Sequence, residues 1–121
     1  MQKIKDKFRE IELSQGDASE KYFHDVLQKH KDQGKLPPWL LSWEQNKKWS
    51  AADRAGIDFV IKTDRGGIKI NIKSSRSFAK IFESQHKAEN ITPIVVNILE
   101  RPETFLGRFI SVIGKIYKSM P

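Results

Sequence analysis

Gly56-Ile-Asp-Phe-Val-Ile-Lys-Thr-Asp-Arg-Gly-Gly-Ile-Lys-Ile-Asn-Ile-Lys-Ser-Ser75 holds two runs of alternating apolar and polar residues on either side of a tight turn. Alternation with a period of two is the signature of a strand, so the stretch predicts a β-hairpin. Asp64-Arg65-Gly66-Gly67 supplies the turn, with glycines free to take positive φ. Ile68, Ile70 and Ile72 share one face of the second strand, and Lys69, Asn71 and Lys73 the other. Phe59 and Ile61 oppose Asp58, Val60 and Lys62 in the first. The hairpin is therefore expected to gather an acid, an amide and an ammonium (Asp58, Asn71, Lys73) on one surface.

Outward from the hairpin, the pattern places a helix at about 18–32. Asp17 suits its N-cap, Gly34 closes it, and Tyr22, Phe23, Val26 and Leu27 form its apolar stripe. Glu20 has two readings. It completes a capping box with Asp17, or it borders the buried face and points at the hairpin. After the Leu36-Pro37-Pro38 break, Trp39–Trp43 reads as the first strand, and the polar run from Asn46 to Ala55 as a loop. In that loop Lys47 and Lys48 lie next to Trp49, which either stacks on bases or rests half-buried on the sheet.

Beyond the hairpin a helix is expected near 78–89, with Phe78, Ile81, Phe82 and Gln85 along one side. Thr92–Leu99 is apolar almost throughout, which predicts a strand in the sheet interior. Pro102 opens a last helix over about 102–118. The whole, 1–121, reads as one α/β domain of the α+β kind: a basic arm at 1–13, a core at 14–99 and a C-terminal helix at 100–121.

The 121 residues carry a net charge of +7 and a pI near 9.7. That favours a polyanionic partner, although many basic proteins bind no nucleic acid. No apolar run approaches the roughly 20 residues of a membrane span. There is no cysteine, which fits a cytoplasmic location, and the spacing of His24, His30 and His86 matches no zinc motif.

The order helix, strand, hairpin, helix, strand, helix, with an acid heading one strand and x-x-Lys ending the next, resembles the PD-(D/E)xK nuclease superfamily. Residues 14–99 carry the resemblance, through Gly16, Glu20, Asp53, Gly56-Ile-Asp58 and Ile70-Asn-Ile-Lys73-Ser-Ser. Small stand-alone members have a similar signature, D-x-x-G-I-D-F-x-V followed by I-x-(Q/E)-x-K-S-S. The resemblance implies a restriction-endonuclease-like αβββαβ core and a Mg²⁺- or Mn²⁺-dependent endonuclease acting on DNA. It implies Asp58 as central metal ligand, Lys73 as catalytic lysine, Glu20 as helix carboxylate and the Ile72 carbonyl as a further ligand. Asn71 stands where the family has Asp or Glu, so the site has one formal charge fewer and weaker metal affinity.

Lys47, Lys48, Lys69 and Arg76 are the candidate phosphate contacts, and Asp53, Ser74 and Ser75 secondary site candidates. The resemblance also allows a homodimer. Three other readings compete with this one. In the first, Asp58 and Lys73 form a plain cross-strand ion pair. In the second, the scaffold serves as a non-catalytic nucleic-acid- or protein-binding module, and in the third the chain is a regulatory protein of antitoxin or immunity type.

Overall fold

The computed structural model describes residues 18–47, 50–51, 56–85 and 90–121. Helix α1 covers 18–32 of these. Then follow β1 (Leu40–Gln45), β2 (Phe59–Thr63), β3 (Gly66–Lys73), α2 (Arg76–Gln85), β4 (Ile91–Val95) and α3 (Pro102–Ser119). The strands form one mixed α+β sheet in the order β1-β2-β3-β4, with the first two pairings antiparallel and β3-β4 parallel. No helix of the described residues is long and apolar enough to cross a membrane.

The hairpin forms as the alternation predicts. Phe59 pairs with Ile70 and Ile61 with Ile68, so their side chains share the face on which α1 and α3 pack. Phe23 of α1 is the hub: its ring centroid lies 4.7 Å from Phe59 and 5.1 Å from Phe109 of α3. These rings and Leu27, Ile61, Ile70 and Ile113 are fully buried. Two residues, Asp64 and Arg65, make the turn, and the positive φ (131°) falls on Gly66.

Two expectations are corrected. The first strand runs Leu40–Gln45 rather than Trp39–Trp43, because Pro37 and Pro38 hold the chain in a turn through Trp39. β4 stops at Val95 and lies at the sheet edge, not in its interior. Pro93, which has no N–H to give a second neighbour, is the residue that fits an edge. Its apolar sequence reflects cover by helices on its faces, where Ile91 and Ile94 are buried. On α2, Phe78, Ile81 and Phe82 lie along one side, as their spacing requires, but only part of that side is buried. Ala79 and Phe82 face the sheet, whereas Phe78 and Ile81 are more than half exposed. A 10-residue helix lying on a sheet buries only a narrow strip.

The C-terminal end of α3 holds the hairpin turn. The Tyr117 hydroxyl donates to Asp64 Oδ1, Arg65 Nη1 donates to the Tyr117 carbonyl at 3.1 Å, and Trp39 stacks on the Tyr117 ring at 4.4 Å. The Asp64 carboxylate pushes the Tyr117 pKa above its ordinary value. The bond needs the neutral phenol. Its stabilisation is therefore complete below the unfolded value of about 10 and is lost as pH rises through the higher folded one. Urea midpoints followed from pH 8 to 11 should fall less for Tyr117→Phe than for wild type.

Candidate functional site

β1 ends where β2 begins, and the parallel strands β3 and β4 end together, so one end of the sheet collects Gln45, Asp58, Lys73 and the start of α2. Asp58 is fixed there. Its N–H donates to the Ile70 carbonyl at 2.9 Å, its carbonyl accepts from the Asn46 N–H at 2.9 Å, and its Oδ2 accepts from the Ile72 N–H at 2.7 Å. Since Ile70 is the ladder partner of Phe59, the two consecutive residues Asp58 and Phe59 meet one residue of β3, which is a bulge. Bulges re-aim side chains at strand ends. Here the carboxylate takes over the acceptor position that the ladder would give to a backbone carbonyl.

Within a strand, a residue's N–H and C=O point to the same edge. The Ile72 carbonyl is therefore directed to the edge at which Asp58 sits. Lys73, next along β3, is half-buried with its Nζ 5.0 Å from the centroid of Phe82 on α2. The ring face attracts the ammonium by cation–π interaction and so helps to place it. The packing is close: Gly56 takes φ +91°, and a Cβ there would lie 2.7 Å from the Phe82 ring.

Asn71 departs from the expected solvent-facing position. It is 4% exposed, and its Nδ2 donates to the Gly56 carbonyl at 2.8 Å. That contact fixes the amide orientation, because a flip would set oxygen against oxygen. Its Oδ1 is left buried with no hydrogen-bond partner. An unpaired buried acceptor costs about 1–3 kcal/mol. Asp58, Ile72 and Asn71 carry oxygens of the type that hard cations such as Mg²⁺ take. Among the described residues no three His, Cys, Asp or Glu side chains converge as a metal-ligand group, so the fit rests on one carboxylate supplemented by amide and backbone oxygens.

The other expected residues divide. Glu20 reaches the same sheet end from α1, its Oε2 accepting from Gln45 Nε2 at 3.1 Å; its capping partner Asp17 lies outside the described residues. Lys47 is exposed in the loop after β1, and Arg76 opens α2. Lys69 is four residues from Lys73 along β3, roughly 13 Å at strand rise, and lines a groove at the opposite end. Ser75 acts as a helix cap, its Oγ accepting from the Phe78 N–H at 3.3 Å, and Ser74 is exposed beside it. Lys48, Trp49, Asp53 and His86 lie outside the described residues. His24 Nδ1 accepts from Trp43 Nε1 at 2.9 Å, and buried His30 bonds the Val26 carbonyl at 2.7 Å, so both are structural.

Sequence reasoning missed Asn46, whose Nδ2 donates to the Ile57 carbonyl at 2.8 Å and holds the entry to β2. It also missed the place of Phe82 against Lys73. A polar residue in a loop and an aromatic on a helix carry no local sign of such contacts. Comparison with protein-family models, curated proteins and solved structures gave no match to this chain.

Proposed function

We propose that this chain is a Mg²⁺-dependent nuclease of restriction-endonuclease-like architecture that hydrolyses phosphodiester bonds in DNA. The observation that carries the reading is the Asp58 carboxylate, held at 2.7 Å on the Ile72 N–H, one residue from Lys73. The element order, the mixed sheet and the charge of +7 support it.

Asp58, the Ile72 carbonyl and Asn71 Oδ1 would hold the cation, with Glu20 at the border. When bound, the ion supplies Lewis-acid polarisation of a phosphoryl oxygen. The protein's own part is electrostatic. The Asp58 carboxylate is already oriented by the Ile72 N–H, on a backbone held by bonds to Ile70 and Asn46, so little reorganisation is needed. The Lys73 ammonium, half-shielded by Phe82, offers positive charge where the transition state gains negative charge. Lys47 and Arg76 contact phosphates on either side, giving orientation without sequence readout.

A labelled DNA duplex and single strand, incubated with protein and Mg²⁺, should be nicked. EDTA should stop the reaction, and Lys73→Ala should slow it by about 10²-fold or more. Cleavage that persists in EDTA, or is equal in Lys73→Ala, sinks the reading. One observation favours a non-catalytic nucleic-acid-binding scaffold instead: the amide at 71 is spent on the Gly56 carbonyl. Tight DNA binding with no nicking at any divalent-ion concentration selects that alternative.

A further inference from the structure

Six large hydrophobic side chains are exposed among the described residues: Leu41, Phe78, Ile81, Ile98, Leu99 and Val112. Scattered singly, such residues need no explanation. Four of the six, however, lie on α2 or on the turn after β4, two segments that leave the sheet at the same end. β3 and β4 are parallel, so the start of α2 and the turn at 97–100 both leave the sheet at the end that carries Asp58 and Lys73. Phe78 is 59% exposed and Leu99 is 89% exposed, the highest of the six.

The turn that bears Leu99 is fixed in place. The Leu99 N–H donates to Asn97 Oδ1 at 2.9 Å and the Glu100 N–H to the Asn97 carbonyl at 2.9 Å. The Tyr22 hydroxyl donates to the Glu100 carbonyl at 2.6 Å. Leu99 is thus presented to solvent on an anchored turn. Arg76 and Lys80 are exposed within two residues of Phe78 along α2, and Arg101 is exposed two residues after Leu99, while the Glu100 carboxylate is paired with Arg108 at 3.2 Å.

We propose that Phe78 and Leu99 form an apolar wedge that receives unstacked bases, making single-stranded or locally opened DNA, rather than intact duplex, the substrate class. Every base has a π-face, so an exposed aromatic binds single strands without sequence preference, and each stacking contact is lost when the bases are already stacked in a duplex. Inserted Phe and Leu side chains also open base steps. The neighbouring cations match the phosphates that accompany those bases. The inference rests on the nucleic-acid part of the proposed function, not on catalysis.

The test is fluorescence anisotropy in EDTA, where no metal-dependent cleavage confuses binding, with a labelled oligothymidine and a blunt duplex of equal length. Wild type should prefer the single strand by about 5-fold or more. The double variant Phe78→Ala, Leu99→Ala should lose that preference, while its duplex affinity and salt slope stay unchanged because the phosphate contacts remain. Leu41→Ala, an exposed hydrophobic in β1, should behave as wild type. Equal affinity of wild type for both DNAs, or an unchanged preference in the double variant, overturns the proposal. So does a wild-type dimer that the double variant turns into monomer, or binding of the wedge to anionic vesicles with no effect on DNA. A protein with the preference that never cleaves retains the wedge and loses the nuclease; one that cuts duplex and single strand equally does the reverse.

Discussion

Asp58→Asn should keep the fold and lose the reaction. The new amide still carries an oxygen that can accept from the Ile72 N–H, the bond that measures 2.7 Å with the native carboxylate. The backbone bonds of residue 58 to Ile70 and Asn46 do not involve the side chain. Stability should therefore change by only about 0.5 kcal/mol. The negative charge that would anchor a divalent cation is gone, so Mg²⁺-dependent cleavage should fall by about 10²–10³-fold or more. Asp58→Ala adds a structural defect. It leaves the Ile72 N–H without its acceptor, and stability should drop by about 1–2 kcal/mol besides the loss of activity. Urea denaturation, isothermal titration with Mg²⁺ and the nicking assay, run on both variants, separate the two roles. An Asp58→Asn protein with wild-type Mg²⁺ response would remove residue 58 from the site.

The contrast between the two variants reflects what the amino-acid pattern makes legible. Period-two alternation around Asp64-Arg65 sets the register of β2 and β3, because a slip of one residue would turn the inward pair of the slipped strand, Phe59 and Ile61 or Ile68 and Ile70, out of the core. The same logic locates α1 and α3 from their apolar stripes. Position in the sheet is less legible. A strand apolar on both faces is read as central, but β4 lies at the edge under helices, and only Pro93 hints at this. The site was legible as residue types and not as contacts. Asp58 and Lys73 stand at one sheet end, as their spacing suggests. The bulge that re-aims Asp58 depends on which carbonyl its N–H finds, and that is set by the loop around Asn46. Ser75 shows the same limit, since a serine ending a Lys-Ser-Ser run fits a site or a helix cap equally, and here it caps α2.

Asn71→Asp should cost stability in the absence of metal and regain it when metal is added. The native side chain gives its N–H₂ to the Gly56 carbonyl at 2.8 Å and leaves Oδ1 buried without a donor. A carboxylate has no hydrogen to give. It would place two oxygens and a negative charge beside the Gly56 carbonyl, at a position only 4% exposed. Loss of the bond and burial of the charge together should lower stability by about 2–3 kcal/mol in EDTA. Asn71→Leu should cost less, since it forfeits the same bond but also removes the unpaired Oδ1. A divalent cation reverses the order. The second carboxylate adds a negative charge that the native amide lacks, so Mg²⁺ should raise the melting temperature of Asn71→Asp more than that of wild type, and leave Asn71→Leu unmoved. Differential scanning fluorimetry with Mg²⁺ and with EDTA reads all three proteins. If Asn71→Asp is as stable as wild type in EDTA, the amide does not clamp Gly56. If Mg²⁺ then shifts it no further than wild type, residue 71 faces no cation, and Asp58 would have to hold the metal without it.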